Sequence, residues 1–342
     1  MTRALAIFLL PFFLAACGGG GNPFDPGETA ADSDTDTGGT ADPDADPDDE
    51  VIEGTLVPAV FANDIESATY DASTETLTIN GLTLDDATAE GISYRRRPDM
   101  DISNADGDVV FEAYTVQDDP LDRHVTAYAG EGLNGGDVRA VVGHSGGPRN
   151  RFFSGAFFER DGEYDPADIP DSAGSAEGNT RYVGSYVGLT NVAGSEEDLL
   201  RVPDSVDPDV PRPTQAAEIT GEVVMVADFE EGAIEGDVLK RRLVDTGDSL
   251  ANLVLVNSEI TQDGSFSGSV EYQNEPEASI GDYGGVIGGS EAGSIAGALN
   301  LSEFDGPNGN NLGFENEREL GIFILDRCGQ DADDPLCATL SP

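Results

Sequence analysis

The stretch Gly281 to Leu301, GDYGGVIGGSEAGSIAGALNL, carries the pattern that decides the fold. From Ser294 onward, Ile295, Gly297, Leu299 and Leu301 fall on one face, and Ser294, Ala296, Ala298 and Asn300 fall on the other. That is the period of a half-buried strand. Gly285, Gly289, Gly293 and Gly297 also recur every four residues, as in stacked helices. Each glycine inside a helix would cost roughly 1 kcal/mol relative to alanine, however, and Glu291 interrupts any membrane span. Closely approaching strands with glycines at bends account for the run better.

Outward from this stretch, the composition sets the limits. The chain has 342 residues, enough for about two domains, and its hydrophobic fraction of 38% can fill cores. The formal net charge is -50, and Lys240 is the single lysine. So negative a chain repels phosphates, which argues against a nucleic-acid partner and leaves cations or basic partners. A solvated acidic coat suited to a salty habitat explains the charge equally simply.

Residues 1–16 carry Arg3, then the apolar run Ala4 to Leu14, and end in Leu14-Ala15-Ala16 before Cys17. A charged start, a short apolar core and small residues before a cut describe a secretory signal, because the run is too short to span a bilayer. From residue 17 to residue 50 the chain collapses to Gly, Asp, Pro, Ala, Thr and Ser, with neither lysine nor arginine. Only Phe24 is large and apolar there, so a disordered acidic tether is expected. Asp32, Asp34 and Asp36 alternate like a calcium loop, but Gly38 is misplaced and no glutamate closes a loop of the right length.

Residues 51–179 read as a smaller, mainly antiparallel β domain. Ala68 to Leu84 gives strand, turn and strand, and further strands are expected at Ile92–Arg96, Val109–Val116, Val125–Ala129, Val138–Gly143 and Phe152–Glu159. Asp171 to Asn179 is the joint. Within this region Gly143-His144-Ser145-Gly146-Gly147 matches the G-x-S-x-G pattern of a hydrolase nucleophile. A nucleophile elbow must open into a helix, yet Phe152 to Phe158 is β-like. The general-base histidine would have to follow the serine, and none does. No catalytic residue is therefore assigned, and no enzyme activity is expected.

Residues 180–328 give about eight strands: Arg181–Leu189, Ile219–Phe229, Ala233–Leu239, Leu253–Ile260, Phe266–Tyr272, Ile280–Gly288, Ser294–Leu301 and Glu319–Leu325. Asp263-Gly264 is a hairpin signal. Eight is the number at which an antiparallel up-and-down β-barrel is filled by its own side chains, so the fold class is all-β. Bulky and small residues alternate on the inward face, Phe266 beside Gly268 for example, which suits a filled interior rather than a ligand cavity.

Two resemblances add to this reading. Leu14-Ala15-Ala16-Cys17 resembles a bacterial lipobox, which implies cleavage before Cys17, its diacylation and an anchor in a membrane. Gly18 in the next position resembles the outer-membrane default of that sorting system. The motifs TRYVGSYVGL from Thr180, GSFSGSVEY from Gly264, GGSEAGSIAGALNL from Gly288 and ELGIFIL from Glu319 resemble the β-barrel domain of transferrin-binding protein B and related surface lipoproteins. That family implies an anchored, non-catalytic receptor for a host protein or a haem or iron-related ligand. It lends this chain fold and anchoring, but no binding residue.

Cys328 and Cys337, in the tail 329–342 and at its border, are close enough in an exported chain to form a disulfide. A zinc site lacks further ligands there, and no cofactor or metal is assigned. The leading function is a lipid-anchored outer-membrane or surface binding protein. Its alternatives are a structural envelope lipoprotein without a soluble ligand, and a lipocalin-like small-molecule carrier. Loop lengths point to one rim: Thr190–Glu218, Arg241–Ala251, Gln273–Ser279 and Ser302–Arg318 are long, whereas Glu230–Gly232, Thr261–Asp263 and Gly289–Ala292 are short. Recognition is expected at the long rim, around Pro203–Pro213 and Asp305–Asn311, with the short rim turned toward the anchor.

Overall fold

The computed structural model describes residues 51–52, 55–82, 92–104, 107–132, 136–147, 151–167, 179–302, 317–329 and 336–337. Cys17, the signal and tether at 1–50, the joint around 168–178 and the rim segment Asp305–Asn311 lie outside the described residues.

After the short helix α1 (Ala59–Ala62), the first part of the chain forms two sheets. One is the meander β1 (Ser67–Asp71), β2 (Thr76–Asn80) and β3 (Ile92–Ser93). The other contains β4 (Arg95–Arg96), β5 (Ile102–Ser103), β6 (Val109–Val116), β7 (Val125–Glu131), β8 (Val138–Ser145) and β9 (Ser154–Arg160). Every pairing in both is antiparallel.

The second part is the closed eight-stranded barrel. Its strands are β10 (Asn179–Ala193), β11 (Ala216–Asp228), β12 (Ala233–Leu243), β13 (Leu253–Glu259), β14 (Ser265–Tyr272), β15 (Glu275–Gly288), β16 (Ser294–Leu301) and β17 (Glu319–Arg327). Each pairs with its sequence neighbour, and β17 returns to β10 with Tyr186 opposite Phe323. This is the up-and-down order that the alternating strands imply.

Alternation sorts the wall. Tyr182, Tyr186, Ile295, Leu299, Phe323 and Leu325 belong to the apolar interior, which is filled by side chains. Tyr182 donates from inside to the Ala292 carbonyl at 2.6 Å, and Tyr283 donates to the Val256 carbonyl at 2.6 Å. That second bond falls where the β13–β14 ladder is thin, since only Leu253 to Leu255 pair there before an isolated bridge at Ile260.

Outward residues differ around the circumference. On β14 they are Ser265, Ser267 and Ser269, whereas on β16 and β17 they are Ala296, Ala298, Leu320, Ile322 and Ile324, all buried. The latter lie under the sheet that includes β7, β8 and β9, in one core with Phe111, Tyr128, Val142 and Phe158. Residues 51–179 and 180–328 were read from sequence as separate domains; in the structure their facing surfaces share this apolar layer.

Three loop assignments need correction. Of the expected loop Thr190–Glu218, Thr190–Ala193 belongs to β10 and Ala216–Glu218 to β11. Arg241–Leu243 belongs to β12, and Glu275–Ser279 belongs to β15, which follows β14 after the turn Gln273–Asn274. The third connection of the long rim is therefore tight. Both strands are extended past irregular registers that a strict two-residue period does not anticipate: Gly221 faces a bulge at Lys240, whose φ is 52°, and Glu277 has φ 70°. Near the end of β17, Cys328 is bonded to Cys337, with the Cα atoms 5.7 Å apart.

Candidate functional site

The G-x-S-x-G stretch is a β hairpin. Ser145 ends β8, and its hydroxyl accepts the Phe153 N–H at 2.8 Å. His144 points to the opposite face of the strand, because neighbouring strand residues alternate. The chain continues into β9 rather than a helix. Among the described residues no group of three or more His, Cys, Asp or Glu is placed to hold a metal.

The long connection between β10 and β11 has a feature that loop lengths do not reveal. The connection from β10 to β11, residues 194–215, is tied to the β4–β9 sheet at both ends. Near its start, Asp198 takes Arg95 at 3.0 Å and His124 Nε2 at 2.9 Å, with Arg97 on the same carboxylate. Two residues on, the Leu200 N–H donates to Gln117 at 2.8 Å. Near its end, the Thr214 hydroxyl donates to the Gly147 carbonyl at 3.0 Å. Here glycine is required at position 146, since a Cβ there would overlap the Thr214 carbonyl.

Between these ties the loop is exposed. Its sequence is RVPDSVDPDVPR, Arg201 to Arg212, and it folds as two successive proline-associated turns: Val206 N–H donates to Pro203 O at 3.0 Å, and Val210 N–H to Asp207 O at 3.1 Å. Leu200 and Val210 remain 37% and 36% exposed at its two sides. The next long connection is knitted to it, the Ser195 N–H donating to Asp245 at 2.5 Å. These two connections thus form a held platform rather than free loops, and the β4–β9 sheet reaches up to the first of them.

The acid–base character of this junction follows from burial. His124 is buried against Arg97 and Arg95, and desolvation followed by those two charges holds its pKa down to about 4. It is therefore a neutral ring at pH 7 and donates through Nε2 to Asp198. Beside it on β11, Glu218 is pushed up to about 7, chiefly by burial, with Tyr128 and Gln215 as opposing hydrogen-bond partners and Asp245 adding repulsion.

A raised carboxyl pKa means that folding takes up a proton. The contribution is full below the ordinary 4.5 and is lost as pH rises through about 7. His124 acts in the opposite sense, because its lowered pKa removes stability as pH falls from about 6.5 toward 4. Glu218→Gln should therefore flatten the decline in stability between pH 5 and 7.5. Urea midpoints across that range check this; an unchanged slope would exclude Glu218 as its source.

At the opposite rim, Val51, Leu56 and Pro58 line a groove with Glu259, Thr261 and Ser265 beside the short β13–β14 turn. Val51, the first described residue, therefore lies on the short-turn side. The barrel interior itself is packed with side chains, Tyr182, Tyr186, Phe266, Tyr272, Tyr283 and Phe323 among them.

No family model matches the sequence, and no curated protein does. Similar solved structures include a double mutant of the vaccine antigen transferrin-binding protein B from Haemophilus parasuis Hp5, at 13% identity and a TM-score of 0.36. A single mutant of the same antigen is similar at 12% identity and 0.37. Both matches cover 77% of this chain, and they cover 44% and 45% of those chains. The chain thus spans less than half the length of these structures.

Proposed function

We propose that this chain is a lipid-anchored, non-catalytic binding protein of the outer membrane that recruits a protein partner through its long rim. The observation that carries the reading is the Arg201–Arg212 segment, fixed at both ends yet exposed between them except at the half-buried Val202 and Val206. A recognition loop held in place before contact loses less conformational entropy on binding. Asp204, Asp207 and Asp209 alternate with Val206 and Val210 along it, so the complementary partner surface is basic with apolar hollows. The filled barrel supports this reading over a lipocalin-like carrier.

Anchoring comes from Cys17. The acidic tether would join the folded part at Val51, on the short-turn side, and turn the long rim away from the bilayer. Cys17→Ser should abolish palmitate incorporation and release the protein from the membrane fraction; retained label or retained partitioning would refute the anchor. The rim is tested separately, by shortening Pro203–Pro213 to a tight turn while keeping Asp198 and Thr214. A partner recovered by pull-down with the intact chain should be lost, with circular dichroism unchanged. Undiminished capture by the folded variant would refute the rim.

A further inference from the structure

Between the β4–β9 sheet and the outer wall of the barrel lies a row of polar residues that the rim reading does not use. Thr126 on β7 is opposite His144 on β8, and His144 is opposite Ser154 on β9, so all three project from one face of the sheet. That face is turned toward the barrel, since His144 and Ser154 line a cavity of about 230 Å³ together with Asn300 of β16 and Leu320 of β17.

Two atoms in this row lack partners. Thr126 is fully buried and its hydroxyl makes no hydrogen bond; His144 is 1% exposed and its Nε2 makes none either. The ring is held rigidly, stacked on Phe152 at 5.3 Å, with Nδ1 2.9 Å from the Ser145 carbonyl. Nδ1 must carry the hydrogen to make that bond, which leaves Nε2 a bare acceptor. Burial pushes the pKa of His144 down to about 4, so the ring is neutral at pH 7. Buried acceptors left unmade are costly, and rows of them mark places where something else supplies the donor.

Two charges of opposite sign also line the cavity: Asp64, following α1, whose Oδ2 accepts the Ser154 N–H at 3.0 Å, and Arg318, just before β17. They form no ion pair with each other, and among the described residues Arg318 has no carboxylate partner at all.

A carboxylate with a bare imidazole nitrogen beside it receives an ammonium group, and a guanidinium receives a carboxylate. We infer that this cavity binds a small free α-amino acid, its ammonium toward Asp64 and His144 Nε2 and its carboxylate toward Arg318. The volume lies below the roughly 300–1,000 Å³ of drug-sized pockets, and the Phe152 and Leu320 walls suit a short apolar side chain.

The test uses the mature protein with L-alanine as probe, and acetate and methylammonium as its two halves. Calorimetry should show saturable binding of alanine below about 10 mM and none of either half alone. Arg318→Ala and Asp64→Asn change exposed side chains, and each should weaken alanine binding about 10- to 100-fold. Because the chain has only His124 and His144, the ¹⁵N resonance of the bare His144 nitrogen can be followed, and alanine should shift it upfield as the nitrogen accepts a hydrogen bond. Absence of saturable alanine binding would overturn the inference, leaving the row to be satisfied by water. Equal binding by Arg318→Ala or a static His144 signal would overturn it too. None of these residues lies in the Arg201–Arg212 segment, so the two proposals fail independently.

Discussion

Arg241→Met should destabilise the barrel by about 3–5 kcal/mol, because it strands a buried carboxylate. Arg241 is 1% exposed and Glu319 is 1% exposed, and the two meet inside the barrel at its long rim. Arg241 also donates to the Ala251 carbonyl at 2.8 Å, and Tyr186 donates to the other Glu319 oxygen at 2.7 Å. Three strands, β10, β12 and β17, are thereby joined across the interior. The ion pair holds the arginine charged, its pKa raised by Glu319 and Tyr186 against the opposing pull of burial.

Removing both charges is a different experiment. Arg241→Met with Glu319→Leu leaves no unpaired charge, so most of the loss should be recovered. The Tyr186 hydroxyl would then lack its acceptor, a residual cost of about 1–3 kcal/mol that Tyr186→Phe should remove. Urea unfolding of the single, double and triple variants measures the coupling. Simple additivity of the two charge removals would show that the pair is not coupled in the way the geometry implies.

This pair also marks where sequence reading stops. The strict alternation of Ile234, Gly236 and Val238 would place Lys240 inside and Arg241 outside. The bulge at Lys240 reverses them, sending Lys240 out to Glu222 at 2.7 Å and Arg241 inward. A one-residue bulge changes no composition and leaves no periodic trace, so its consequence is invisible before the register is known. The same holds for β15, where an irregular register hides an extended strand inside an apparent loop.

What was legible is whatever repeats with period two. All eight barrel strands fall within a few residues of their expected places, most of them because large apolar residues alternate with small or polar ones. The β4–β9 layer was legible as strands but not as a cover for the barrel. One hint existed: Leu320, Ile322 and Ile324 alternate with Gly321, Phe323 and Leu325, an apolar run on both faces, and a strand buried on both faces needs a second layer. The ties at Asp198 and Thr214 join residues 67 to 103 positions apart, and local pattern carries nothing about such contacts.

The glycines of the opening stretch lead to the second large effect, expected from Gly297→Leu. Gly285 and Gly297 are direct cross-strand partners, and each sits under an aromatic ring inside the barrel, Phe266 over Gly285 and Phe323 over Gly297. Tyr186 covers Gly321 and Tyr283 covers Gly268 in the same manner. The interior therefore closes by setting each ring into the space that a missing side chain leaves, whereas Gly289 and Gly293 of the same run lie in the turn between β15 and β16. A Cβ at Gly297 would overlap both the Phe323 ring and the Gly284 carbonyl. Overpacking of this kind costs about 1–3 kcal/mol, and collision with backbone places Gly297→Leu at the upper end or beyond. Ser267→Val, on the exposed outer face of β14, should stay within about 0.5 kcal/mol. If ring and glycine are complementary, Gly297→Leu combined with Phe323→Ala should be at least about 1 kcal/mol more stable than the sum of the two changes predicts. Strict additivity in thermal or urea unfolding would mean that the backbone collision alone sets the cost and that the ring does not select the glycine.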